Sequence, residues 1–184
     1  MLGENLKVKI QKIAGSKIKI LKKIGLTANK LTILSSLSIL IAAYFFFKGQ
    51  LITGGIFMLL DYLFDGIDGM FARMTNTSSK AGFILDHVSD YVIRRIWYFA
   101  LAYSGFISYK IVSLAIFSLT ISVFISNLAK IKKFKMPSWT MAWADWLIIP
   151  AVFTGQVVLF FQIMIIAHFI LFIMNLSFMF YLNR

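Results

Sequence analysis

A chain of 184 residues that is 60% hydrophobic and 16% aromatic, with a mean hydropathy of +0.84, is too apolar for a water-soluble domain of its size and falls in the membrane class. Its net charge of +12 comes from 19 Lys and Arg against 7 Asp and Glu, and the absence of cysteine excludes disulfides, thiolate nucleophiles and Cys-ligated zinc. The apolar runs are long and continuous rather than short and alternating, which excludes a transmembrane barrel and leaves helices of about 20 residues to do the spanning.

In chain order, "LKVKIQKIAGSKIKILKKIG" interleaves lysines with Leu, Val and Ile at helical spacing, as in a helix lying on anionic lipid. A nucleic-acid arm would also be basic, but the interleaved apolar face followed at once by a span favours lipid, and no nucleic-acid partner is expected. The segment has no small-residue cleavage site and is not read as a signal peptide. Spans then follow at about 31–48, 51–73, 81–105, 108–129, 144–161 and 163–182. The expected architecture is an all-α integral membrane protein: an N-terminal amphipathic juxtamembrane helix over 1–25 and a six-helix transmembrane core over 30–184, forming a single domain across 1–184. Lysines and arginines gather before the first span, around the 74–80 loop (Arg73, Lys80) and in the 130–143 loop (Lys130, Lys132, Lys133, Lys135). By the positive-inside rule those loops and both termini are cytoplasmic, which an even number of spans requires. Asp145 is expected to cap the fifth helix.

The acids are concentrated where such a chain accommodates them least. Asp65, Asp68, Asp86 and Asp90 sit in the second and third runs with Asp61 just upstream, leaving only Glu4 and Asp145 elsewhere. At about 1.5 Å per residue, Asp68 and Asp65 lie roughly 8 and 12 Å before the cytoplasmic end of their helix, and Asp86 and Asp90 roughly 9 and 15 Å beyond the start of theirs. The pairs therefore meet at matching depth, at i, i+3 and i, i+4 spacing. Four carboxylates so placed need a cation, and an all-oxygen set points to hard divalent ions, Mg²⁺, Mn²⁺ or Ca²⁺, with two ions suiting four carboxylates better than one. Gly69 and Gly82 leave bare patches beside the acids, Gly66 and Ala72 add small surface, and Arg73 brings a fork suited to phosphate. Together they describe a pyrophosphate site, without any Walker-type loop. Arg94, one turn beyond Asp90, needs an anion or a polar cavity at its depth and is expected to contact substrate or the acids. His87 points about 100° away from Asp86 on a helix and is expected to pack, as is His168 in the last run.

The pattern Asp65-x2-Asp68-Gly69-x2-Ala72-Arg73-x8-Gly82-x3-Asp86-x3-Asp90 resembles the complete signature of the CDP-alcohol phosphotransferase family. "TANKLT" before the first span is similar to the family's Asn-x2-Thr element, with Ala28 in place of the usual Pro. The resemblance implies a divalent-metal-dependent transferase of phospholipid biosynthesis. A CDP-linked alcohol, commonly CDP-diacylglycerol or its ether-lipid analogue, gives its substituted phosphate to the hydroxyl of a small polar acceptor and CMP is released. It further implies Asp65, Asp68, Asp86 and Asp90 as ligands of two Mg²⁺ or Mn²⁺ ions, Asp90 also as general base, and Gly69, Ala72, Arg73, Gly82, Asn29 and Thr32 around the CDP group. A homodimer in the cell membrane is implied as well. For the acceptor, Lys132, Lys133 and Arg94 favour a phosphorylated polyol such as glycerol phosphate or inositol phosphate; serine, or a soluble CDP-polyol donor, fits the same signature. The reading from another class is a divalent-cation or proton-coupled transporter, which would continue its polar groups to the far side of the bilayer, whereas here they stop at Asp61.

Overall fold

The computed structural model describes residues 22–23, 25–75, 77, 80–131 and 147–182. Their regular elements are all helical, in the order α1 (Ala28–Phe47), α2 (Leu51–Thr75), α3 (Lys80–Tyr91), a 3₁₀ turn (Ile93–Arg95), α4 (Ile96–Tyr103), α5 (Tyr109–Ile131), α6 (Ile148–Phe153) and α7 (Val157–Leu182). The interfacial helix expected over 1–25 lies almost wholly outside the described residues, as do Lys132, Lys133, Lys135 and Asp145 of the fourth loop and fifth run.

Three of the helices are long and apolar enough to cross a membrane: Ala28–Phe47, Tyr109–Leu128 and Val157–Tyr181. At 20 residues α1 is about 30 Å long, the thickness of a hydrocarbon core. The 25 residues of α2 are sufficient in length, but Asp61, Asp65, Asp68 and Arg73 fill its second half. A count of six spans does not emerge from the described helices.

Three expected helices differ from their predicted form. The third, predicted as continuous over 81–105, is broken after Tyr91 and rewound as a 3₁₀ turn before α4, at the point where Arg94 swings onto the acids of α2. The fifth and sixth, predicted to meet at 162, meet instead at Thr154–Gln156. There Gly155 takes φ +72°, a left-handed conformation open to glycine, and the Thr154 hydroxyl donates to the Pro150 carbonyl at 2.7 Å. Thr154-Gly155-Gln156 interrupts the apolar run for only three residues, too few to stand out in a hydropathy window.

The helix ends follow from local residues. At the start of α1 the Thr27 hydroxyl accepts the Lys30 amide at 3.3 Å. At its end Gly49, φ +75°, donates to the Phe46 carbonyl and Gln50 to that of Phe45, both at 2.9 Å, which is a Schellman closure.

The fold divides into two units. The first takes its described residues from Met1–Ala43 and Ile56–Trp97. Its core sets Ala28, Leu31 and Phe71 against Leu26, Phe64, Ile67, Met70 and Ala72, clamping the start of α1 to the end of α2. The second takes Tyr44–Gly55 and Tyr98–Arg184. In it α5 and α7 pack along each other. Phe161 meets Tyr98 edge-on at 4.9 Å, the Tyr98 hydroxyl reaches Met164 Sδ at 3.6 Å, and Asn175 Nδ2 donates to Ser126 Oγ at 3.0 Å.

Candidate active site

The site lies in the first unit and is built on a strip of hydroxyls along α1. Thr32, Ser35 and Ser36 stand at i, i+3 and i+4, hence on one face, and all three are buried. Each meets a polar group of another element. Thr32 Oγ1 donates to Asp68 Oδ2 at 2.6 Å, Ser35 Oγ donates to Asp61 Oδ1, and Ser36 Oγ lies 2.9 Å from Ser89 Oγ on α3. In an apolar helix such bonds matter because a buried hydroxyl or carboxylate that lacked them would carry a desolvation cost.

On α2 the acids Asp61, Asp65 and Asp68 run at i, i+4 and i+7 down the same face. Their environments differ sharply. Asp61 is fully buried, Asp68 is buried on Thr32, and the Asp65 side chain keeps 31% of its surface. Arg94 bridges Asp61 and Asp65: Nε to Asp61 Oδ2 at 3.0 Å, Nη2 to Asp61 Oδ1 at 3.3 Å and Nη2 to Asp65 Oδ1 at 3.0 Å. Its guanidinium carbon also lies 5.4 Å from the centre of the Tyr62 ring, a cation–π contact from the next residue of α2. Arg94, expected to reach substrate or the acids, is thus on the acids.

One turn below Asp65, Gly69 makes room for an arginine of its own helix. A Cβ added at Gly69 would stand 3.3 Å from Arg73 Nη1, so the Arg73 guanidinium folds back over the bare backbone. Toward the end of α2 there is a recess of about 430 Å³, lined by residues that include Lys22, Thr27, Asn29, Phe71, Thr75 and Thr77. Asn29 is therefore at a recess, whereas Thr32, one turn on, is committed to Asp68.

Asp86 and Asp90 lie one turn apart on α3, with Gly82 one turn before them. The side chains of Asp86, His87 and Asp90 lie outside the described set, as do Lys132 and Lys133. Among the described residues no three His, Cys, Asp or Glu side chains form a group that could hold a metal ion. Ser35, Ser36, Ser89 and Tyr62 were not foreseen as parts of the site. For the two on α1 the signal in the sequence was "TILSSLS", hydroxyls at one-turn spacing inside an otherwise apolar span.

Comparison with known proteins adds a family. The family model described as CDP-alcohol phosphatidyltransferase matches residues 25–182. Archaetidylinositol phosphate synthase of Pyrococcus horikoshii is 33% identical over 98 residues, 53% of this chain and 52% of that protein, so the match spans about half the length of this curated relative. Among solved structures, phosphatidylinositol phosphate synthase of Mycobacterium tuberculosis is similar in its apo form, with TM-score 0.67, 18% identity and coverage of 90% of this chain and 95% of that one. The same enzyme with CDP-DAG bound gives TM-score 0.72 at 17% identity, covering 90% and 92%. At such identities the likeness is one of fold. The family match itself takes in the hydroxyl strip of α1, every acid on α2 and α3, and both apolar helices beyond them, and on that extent the chain belongs to the CDP-alcohol phosphatidyltransferase family.

Proposed function

We propose that this protein is a membrane transferase that moves a substituted phosphate from a CDP-linked lipid to the hydroxyl of an inositol phosphate, releasing CMP. The observation that carries the reading is the signature itself, with all eight fixed residues present on α2 and α3 of a chain that belongs to the family. The acceptor rests on the relative named as an archaetidylinositol phosphate synthase, and the donor on the similar fold solved with CDP-DAG. Glycerol phosphate is the next acceptor to test.

In this reading Asp65, Asp68, Asp86 and Asp90 hold two Mg²⁺ or Mn²⁺ ions. The donor set fits: the four groups are hard oxygen donors, Asp65 is open to approach at 31% exposure, and Asp68 is oriented by Thr32 as ligating carboxylates commonly are. The ions would supply positive charge against the pyrophosphate and the departing CMP. Asp90 accepts the proton of the acceptor hydroxyl. Gly69, Ala72 and Gly82 provide a surface on which the CDP group lies close to backbone, Arg73 binds its phosphate, and Asn29 contributes from the recess. Thr32 acts on the donor through Asp68. Lys132 and Lys133 bind the acceptor's phosphate, with Arg94 adding positive potential.

The decisive experiment incubates purified protein with CDP-diacylglycerol or its ether analogue and Mg²⁺ against inositol phosphate, glycerol phosphate and serine, following CMP. Acceptor-dependent CMP release with inositol phosphate is expected; none with any acceptor would overturn the reading.

The Gly69 geometry gives a second expectation. Gly69→Leu pushes Arg73 off its position and fills the donor surface, so CDP-lipid affinity should fall at least about tenfold while the folded yield is retained. Gly82→Leu should act in the same direction. Equilibrium binding of a CDP-lipid to either variant measures it, and wild-type affinity would remove those glycines from the donor site.

We also propose six spans, the three apolar helices among them, with both termini and the site mouth cytoplasmic. A cysteine introduced at Thr77, an exposed residue beyond the end of α2, should then react with an impermeant maleimide only from the cytosolic side. Labelling from outside would invert the topology.

A further inference from the structure

Neither Asp61 nor Arg94 belongs to the eight-residue signature, yet together they form the most buried charged assembly among the described residues. Asp61 is fully buried, with Ser35 and two guanidinium nitrogens on its carboxylate. The Arg94 side chain is 13% exposed, carried on a 3₁₀ turn and laid against Tyr62. Such a pair costs desolvation at both partners, and a well-packed apolar pair would serve stability at least as well, so stability alone does not account for it. What distinguishes it is its reach. The Nη2 group that completes the Asp61 contact also donates to Asp65 Oδ1 at 3.0 Å.

We propose that Asp61 and Arg94 set the divalent-cation affinity of the adjoining acid cluster: Asp61 pins Arg94, and Arg94 offsets the charge of Asp65. The proposal rests on the metal reading above and makes both groups positioning residues. Asp61 holds the guanidinium through two donors and Asp65 through one, so the guanidinium is anchored on the residue outside the signature and only leans on the one within it. Before any ion is present, the arginine relieves repulsion among the acids. Once an ion arrives, a fixed positive charge within hydrogen-bond distance of one ligand weakens its hold. The site is thereby kept from binding cations as tightly as its bare acids would, which suits an ion that must stay adjustable while donor and product exchange.

This arrangement predicts effects of opposite sign from two residues that touch each other. Arg94→Met, which keeps length and apolar contact with Tyr62, should bind Mn²⁺ on the order of 5- to 10-fold more tightly than wild type. Asp61→Asn removes the charged anchor and leaves Asp65 as the nearer carboxylate for Arg94, so Mn²⁺ should bind several-fold more weakly. In the double variant the anchor no longer has an arginine to hold, and affinity should exceed that of wild type as in Arg94→Met.

The measurement is free Mn²⁺ by electron paramagnetic resonance, titrated into detergent-purified protein without substrate. Arg94→Met leaves a buried carboxylate unpaired, and if it does not fold, the double variant, which has no such charge, carries the same expectation. If wild-type protein binds no Mn²⁺, the metal reading fails and the proposal falls with it. If wild type binds but the arginine-free variants bind equally or more weakly, the metal reading stands and the proposal is overturned. A purely structural role for the pair would lower affinity in every variant.

Discussion

Asp90→Asn should keep most of the protein's affinity for a CDP-lipid while turnover falls about 100-fold or more, the range associated with loss of a general base. Asp90 is the signature acid farthest along α3 from Lys80, and is therefore the one proposed to meet the acceptor hydroxyl. An alcohol is a weak nucleophile until its proton is accepted, and a carboxylate within a cationic site stays ionised and able to take it. Asparagine preserves the shape and one ligating oxygen but cannot accept that proton. Asp65→Asn and Asp68→Asn should behave differently, weakening donor and Mn²⁺ binding together, because those residues are proposed only as ligands. Single-turnover kinetics alongside donor binding separates the two patterns. Near-normal turnover in Asp90→Asn, or a defect confined to donor affinity, would reduce Asp90 to a fourth ligand.

Exhaustive chelation should lower acceptor-dependent CMP release to background, and Mg²⁺ or Mn²⁺ should restore it. The expectation follows from charge. Asp65 and Asp68 lie one turn apart on α2 and Asp86 and Asp90 one turn apart on α3, and a pyrophosphate brought among them adds more negative charge. Arg94 is shared between Asp61 and Asp65, and Arg73 is a single positive charge. Full turnover in chelator would show that the side chains alone bind and cleave the donor.

The signature was legible in the sequence because its chemistry is local: acids, glycines and an arginine at fixed turns of two helices. What joins them was not. The three hydroxyls of α1 could be seen as polar residues in an apolar run, but their partners lie on other elements, and spacing within one helix says nothing of which neighbour faces it. The rewinding after Tyr91 was hidden for a related reason. Val92, Ile93, Ile96 and Trp97 continue the apolar run on both sides, so only the paired Arg94 and Arg95 marked the place, and the acid that Arg94 meets there lies 33 residues away on another helix. Asp61 itself could be placed at its depth, yet a lone acid outside the signature is explained only by the arginine that reaches it. At Thr154–Gln156 the information was present and outweighed, since a hydropathy window averages over a corner made by a single glycine.

The hydroxyl strip also bears on biogenesis. Thr32, Ser36 and Ser38 each reach a carbonyl one turn back, those of Ala28, Thr32 and Leu34, at 3.2, 2.9 and 2.8 Å. A newly made α1 can therefore enter lipid with these polar atoms satisfied from within and exchange partners later. Asp61 on α2 has no such provision. Asp61 takes its hydrogen bonds from Ser35, 26 residues earlier, and from Arg94, 33 residues later. A nascent chain that ends short of Arg94 thus carries this carboxylate with its serine but without its counter-ion, and the polar accounts of the second helix close only when a residue from beyond the third has left the ribosome.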